Sequence, residues 1–149
     1  MAEPHDELNA GSSSQTLLAF DFGMKRIGVA VGQTFTRTAN PLVILNAQQG
    51  IPNWQQVADL IKSWCPHALI VGIPLNMDGT PQPLSKAAQN FAKNLQERYH
   101  LPVYEVDERL STKAARDEVF TQGGYRALQK KSIDSVAAQI ILMDWMNQH

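Results

Sequence analysis

The chain has 149 residues, of which 44% are hydrophobic, 18% charged and 7% aromatic, enough apolar side chain for one domain with its own core. Thirteen Lys and Arg against fourteen Asp and Glu give a net charge of −1, which excludes a globally basic coat protein and leaves any polyanion to a local patch. The single cysteine, Cys65, excludes a disulfide framework and a cysteine-based zinc site, and no apolar run approaches the roughly 20 residues of a membrane helix.

Residues 1–15 are rich in Ser, Gly, Asn and acid and lack periodicity. They read as a disordered tail ahead of one domain over residues 16–149. With no hydrophobic stretch this segment is no secretory signal, and the reducing cytoplasm is the expected compartment. Order begins at residues 16–21, a short apolar run of buried-strand type that ends on Asp21. A turn over residues 21–26 leads to a second strand at 27–32, whose alternating glycines predict close packing on one face. A third strand covers residues 39–46, with Pro41 confining it to an edge. Three strands with short links make an antiparallel meander.

The period then changes. Asn53 caps a helix over residues 54–65 that Pro66 stops, with Trp54, Val57, Leu60, Ile61 and Trp64 on one apolar stripe. The unbroken apolar run 68–73 predicts a central parallel strand covered on both faces. A surface loop over 74–83, a helix over 84–100 and a fifth strand over 103–108 follow. Ser111 or Thr112 caps a helix ending near Gly123 and Gly124, and a last helix covers 133–146. The order βββαβαβαα, with right-handed crossovers, gives a mixed five-stranded sheet flanked by helices. Several α/β folds share that pattern.

The carboxylates carry the chemistry. Asp21 ends the first, apolar strand, where an ionised group is costly without a cation or donors beside it. Asp107 and Glu108 end the fifth strand and alternate between its faces. Asp134 opens the final helix, with Val136, Ala137, Ile140 and Ile141 expected on its buried side. Asp21, one of the 107/108 pair and Asp134 can therefore meet at one edge of the sheet. Hard oxygen donors converging without a compensating base suit Mg²⁺ or Mn²⁺, and such ions activate water for phosphodiester hydrolysis. Asp134 suits equally a plain charge at a helix start, and spacing does not separate Glu108 from Asp107.

At these residues the sequence becomes familiar. Asp21-Phe22-Gly23-Met24-Lys25-Arg26-Ile27-Gly28-Val29-Ala30 resembles the opening motif of the YqgF family, Holliday-junction-resolvase-like proteins linked to nuclease processing of the 5′ end of pre-16S ribosomal RNA. Val71-Gly72-Ile73-Pro74-Leu75-Asn76-Met77-Asp78-Gly79 is similar to its second motif and Asp107-Glu108-Arg109-Leu110-Ser111-Thr112 to its third. Gly123-Gly124-Tyr125 and Asp134-Ser135-Val136-Ala137-Ala138 resemble its last. The resemblance implies a ribonuclease H-like fold, a metal-dependent nuclease, and Asp21, Glu108 and Asp134 as catalytic and metal-binding triad. Some resolvases carry a second acid three residues on, where this chain has Ala137, which leaves the number of ions open.

Lys25 and Arg26 follow Asp21 and can reach a phosphate. Between Gln122 and Ser132 the charges are Arg126, Lys130 and Lys131 without an acid, and Tyr125 can stack on a splayed base. A solvated turn and a solvated loop are the plain alternatives. Arg109 suits pairing with Asp107. His5, His67, His100 and His149 have no metal-ligand spacing, Cys65 has no base beside it, and Trp54 and Trp64 read as core. The expected partners are structured RNA or branched DNA and ribosomal precursor particles, with no membrane, for a monomer or weak homodimer. A junction resolvase, needing a two-fold dimer, and a non-catalytic ribosome-assembly module are the alternatives. The Asp-x-Gly turn followed by Lys also resembles the first phosphate loop of actin-like ATPases, but those need two such loops and this chain has one.

Overall fold

A computed structural model of the chain describes residues 15–76, 78–108 and 133–149. Strands β1 (Thr16–Asp21), β2 (Arg26–Gln33), β3 (Thr38–Gln48) and β4 (Ile51–Pro52) lead to helix α1 (Trp54–Trp64) and strand β5 (Ala68–Ile73). Helix α2 (Pro83–Tyr99), strand β6 (Val103–Asp107) and helix α3 (Ile133–Gln148) complete the described elements. The sheet order is β4-β3-β2-β1-β5-β6. β1 pairs antiparallel with β2 and parallel with β5, and β5 pairs parallel with β6. β1 and β6 thus flank β5, the arrangement needed to bring their carboxylates to one edge.

The expected five strands become six because β3 runs two residues further and turns back on itself. Gln49 and Gly50 both have positive φ (53° and 81°), the signature of a two-residue hairpin turn whose twist matches its strands. A Cβ on Gly50 would also sit 2.8 Å from Phe22 Cζ, so glycine is needed there twice over. Pro41 lies beside a shift in register opposite Val29 and Ala30, where the ladder tolerates its missing N–H.

Alternation along the strands divides the interior in two. Leu18, Phe20, Ile27, Val29, Leu69 and Val71 point to one face, where α1 and α2 cover them with Val57, Phe91 and Leu95. Leu17, Ala19, Ala30, Ala39 and Ile70 point to the other, under α3. Each large side chain fully buried this way contributes about 1.5–3 kcal/mol. All six residues of β5 are buried, as a strand covered on both faces must be.

The caps are local chemistry. Asn53 Oδ1 accepts from the Gln55 amide at 2.9 Å to start α1, which ends at Trp64 with Cys65 left-handed. Pro83 opens α2, and the buried Ser85 hydroxyl donates to the Pro74 carbonyl while accepting from the Gln82 amide. Trp64 is 37% exposed at the rim of α1, not core, because the helix is only half covered there.

Helix α3 lies close to the sheet because the strands beneath it present glycine and alanine. A Cβ on Gly32 would come within 2.7 Å of Leu142 Cδ2. The buried stripe is Val136, Ala138, Ile141, Leu142 and Met146, while the expected Ala137 and Ile140 are only half-buried. Gln139 Nε2 donates to the Ala39 carbonyl at 2.7 Å, and Arg37 donates to the Met146 carbonyl, where a cation also suits the end of the helix dipole.

Candidate active site

Asp21 stands in the middle of a row that crosses the sheet. Its register partners are Gly28 on β2 and Gly72 on β5, and Gly72 in turn pairs with Val106 on β6. Partners in register share a face, so the Asp21 carboxyl projects on the α3 side between two residues without side chains. At Gly72 an added Cβ would collide with its neighbours, so the glycine there keeps a space clear.

Glu108, the first residue beyond β6, occupies part of that space. A Cβ on Gly72 would lie 3.0 Å from both Cγ and Oε2 of Glu108 and 2.6 Å from Cδ1 of Ile141. The Glu108 side chain therefore folds over Gly72, beneath α3, toward Asp21. Asp107 is opposite Ile73, whose buried side chain belongs to the α2 face. Strand alternation thus separates the two acids that spacing left together: Glu108 shares a face with Asp21, and Asp107 does not.

Burial holds the Glu108 carboxyl above the ordinary carboxylate range. A hydrogen bond from the Asp21 carboxyl opposes the rise, and the negative charge of Asp107 adds to it. Two carboxyl groups hydrogen-bond to one another only through a shared proton, so the pair is stable either as a proton-sharing couple or around a cation. Glu108 Oε2 is buried and, among the described residues, accepts no hydrogen bond. A buried carboxylate oxygen without a donor, next to a second carboxylate, is a fitting donor set for a hard divalent cation.

Asp134 falls in the first turn of α3, four positions before Ala138 and seven before Ile141, the residue that touches the Gly72 position. Its side chain lies outside the described residues. Among the described residues no group of three His, Cys, Asp or Glu side chains converges. Asp21 and Glu108 are the two that meet.

Lys25, on the turn that follows Asp21, and Arg26, the first residue of β2, are exposed. That turn is held by the β3–β4 hairpin, with the Ala47 amide donating to the Lys25 carbonyl and the Gly50 amide to the Met24 carbonyl, each at 2.8 Å. Arg109, Ser111, Thr112, Gly123, Gly124, Tyr125, Arg126, Lys130 and Lys131 lie outside the described residues, as do residues 1–14. The histidines stay apart: His67 Nδ1 accepts from the Thr16 amide, His100 ends α2, and His149 stacks on Trp145. Cys65 is exposed with its thiol on the Lys62 carbonyl.

Two features are not evident from the sequence. Gly72 clears the site, and its only trace there is one glycine inside an apolar run. The loop after β5 is bound internally, Asn76 Nδ2 donating to Thr80 Oγ1 at 2.9 Å and the Thr80 hydroxyl to Asp78 Oδ1 at 2.6 Å. The residue types signal that turn chemistry, but not its place at the end of β5, beside the end of β1.

The family model for RuvX, a Holliday junction resolvase, matches residues 15–148. A Glaesserella parasuis protein named pre-16S rRNA nuclease is 52% identical over 135 residues, covering 91% of this chain and 98% of its own length. A Yersinia pestis protein of the same name is 52% identical over 136 residues, covering 91% and 97%. Among solved structures, Thermus thermophilus RuvC in complex with Holliday junction substrate matches with a TM-score of 0.58 at 14% identity, covering 87% of this chain and 91% of that one. The fowlpox virus Holliday junction resolvase matches with a TM-score of 0.56 at 18% identity, covering 90% and 99%. At such identities the likeness is one of fold, the ribonuclease H-like layout that the family resemblance implies. With residues 15–148 matched by the family model, and relatives more than half identical over 91% of its length, the chain belongs to the RuvX Holliday junction resolvase family.

Proposed function

We propose that this protein is a metal-dependent endonuclease that hydrolyses phosphodiester bonds at the 5′ end of pre-16S ribosomal RNA during ribosome biogenesis in the cytoplasm. The observation that carries the reading is the buried, donor-free Glu108 oxygen beside Asp21 in a row with Gly28 and Gly72. The rRNA substrate follows the relatives that share 52% of their residues with this chain. The junction resolvases resemble it at 14–18% identity, which supports the fold and not the substrate. Cutting a four-way DNA junction is the second reading, favoured by the family's description.

Asp21, Glu108 and Asp134 would hold Mg²⁺ or Mn²⁺, which supplies Lewis-acid polarisation of the phosphate and a more acidic attacking water. Asp21 and Glu108 supply the negative charge that would hold the cation on the α3 face. Their rigid seats, a strand end and the residue after a strand, hold that geometry without reorganisation. Water attacks phosphorus, the bond to the leaving oxygen breaks, and the water's proton passes to solvent or to the leaving oxygen. Lys25 on the neighbouring turn, Arg26 at the start of β2, and Arg126, Lys130, Lys131 and Tyr125 in the basic segment grip the flanking phosphates and bases.

Incubation of the purified chain and Mg²⁺ with an RNA spanning the leader and mature 16S 5′ end, and separately with a four-way DNA junction, tests the reading. Cleavage of the RNA, abolished in Asp21→Asn and Glu108→Gln, is the expected result. Wild-type turnover by either variant contradicts the site, and cutting of the junction alone contradicts the substrate.

A further inference from the structure

On the face of the sheet opposite the acids, a cleft of about 530 Å³ opens between α2 and the β3–β4 hairpin. Its floor is aromatic. Phe22, the residue after Asp21, lies 5.3 Å from Phe91 between ring centroids, and Trp54 stacks on Phe91 at 5.8 Å with 22° between planes. The Arg98 guanidinium lies over the Trp54 ring, 3.9 Å from its centroid. Its rim carries Gln49 and Asn90, both exposed, and among the described residues no acidic residue lines it.

We infer that this cleft takes one unstacked base of a single-stranded stretch of nucleic acid, layered on Arg98 over Trp54 and Phe91. The inference rests on the nuclease reading and narrows its substrate to one with an unpaired nucleotide close to the cut. An exposed guanidinium backed by an aromatic ring is a flat, positive surface of the kind on which bases stack. Gln49 and Asn90 offer the donors and acceptors that a base edge needs, whereas an apolar peptide side chain would leave them unpaired. The volume falls within the range of roughly 300–1,000 Å³ that holds small ligands. The charge suits a polyanion, with Arg98 at the cleft and Lys25 exposed on the turn that the hairpin grips. Proximity completes the case: the floor residue Phe22 adjoins Asp21 in the chain, so the acids and the cleft lie on opposite faces at the same end of β1, and a strand leaving the acids reaches the cleft by rounding that end.

The test is binding of a short labelled single-stranded RNA, and of the same sequence as a duplex, followed by anisotropy with Ca²⁺ in place of Mg²⁺. Arg98→Gln and Asn90→Ala alter exposed residues and leave the fold intact, as their melting curves should show. Arg98→Gln is expected to weaken single-strand binding about tenfold, the scale of one missing base stack, and to change duplex binding much less. Trp54→Leu should do the same where its melting curve matches the wild type. Wild-type affinity for the single strand in both exposed-residue variants overturns the inference, and so does an equal loss on single strand and duplex. Asp21→Asn separates the two readings: it should lose cleavage while keeping the preference for single strand over duplex. Its cleaving would sink the acidic site and leave the cleft standing, whereas unaltered single-strand binding by both Arg98→Gln and Asn90→Ala sinks only the cleft.

Discussion

At the scale of single residues, the two carboxyls are held together against their own repulsion. Glu108 has its pKa raised by burial, so the folded protein keeps a proton that the unfolded chain gives up. The linkage has a definite sign. Stability from this group is fully present below the ordinary carboxylate pKa and is lost as pH rises through the higher folded value. Metal-free protein should therefore be less stable at neutral pH than its neutral isostere. Glu108→Gln is expected to raise the melting temperature at neutral pH by about 2–4 °C, equivalent to about 1 kcal/mol for a chain of this size. That gain should shrink as the pH falls below the carboxylate range, and a gain unchanged with pH would mean that charge is not its source. Activity should move the other way. Asp21→Asn and Glu108→Gln each remove a ligand charge while keeping shape, so turnover should fall by more than the ~10–100-fold seen when a group that merely supports a ligand is removed.

At the scale of elements, glycines decide how close α3 comes to the sheet and what survives beneath it. Gly32 and Gly72 have comparable clearance, 2.7 Å to Leu142 and 2.6 Å to Ile141 for an added Cβ. Only Gly72 also adjoins Glu108. Gly32→Ala and Gly72→Ala should each destabilise by about 1–3 kcal/mol through overpacking. Only Gly72→Ala should impair cleavage beyond what its reduced stability explains, because it displaces Glu108. Equal activity in two folded variants would show that the Gly72 cradle is structural alone. The same contrast marks what is legible in the sequence. The strands, the cap at Asn53 and the turn residues around Gly50 follow from local periodicity and chemistry, and the element order announces the topology. The partner of each glycine does not follow, because close approach is set by register between distant segments. Glu108 separates from Asp107 only once Asp21, Gly72 and Val106 are seen in one row. Trp54 reads as a core stripe residue, and only the approach of Arg98 from the far end of α2 marks it as a platform.

At the scale of the whole molecule, a chain of net charge −1 must concentrate its cations where the polyanion lies. In the sequence, Lys25 with Arg26, and Arg126 with Lys130 and Lys131, are two such concentrations. Replacing Arg126, Lys130 and Lys131 together with Ala should weaken RNA binding and flatten its salt dependence. Each phosphate left without its cation takes roughly 0.7–0.9 from the slope of log affinity against log salt, so three of them amount to about two to three units. Divalent-ion affinity should be almost unchanged, since none of the three is a proposed ligand. An unaltered slope in Ca²⁺ would assign the grip on RNA to other residues.

The most direct check on the acidic site is the location of a bound ion. A crystal of the protein grown with Mn²⁺, its position fixed by anomalous scattering, should show the metal between Asp21 and Glu108 with Asp134 completing the carboxylate set. The ion should sit over Gly72 and within coordination distance of the Glu108 oxygen that is otherwise without a donor. Asp21→Asn crystals should lose it or bind it far more weakly. Manganese bound elsewhere, with Asp21 and Glu108 still sharing a proton beside it, would contradict the assignment of these acids as the catalytic metal site.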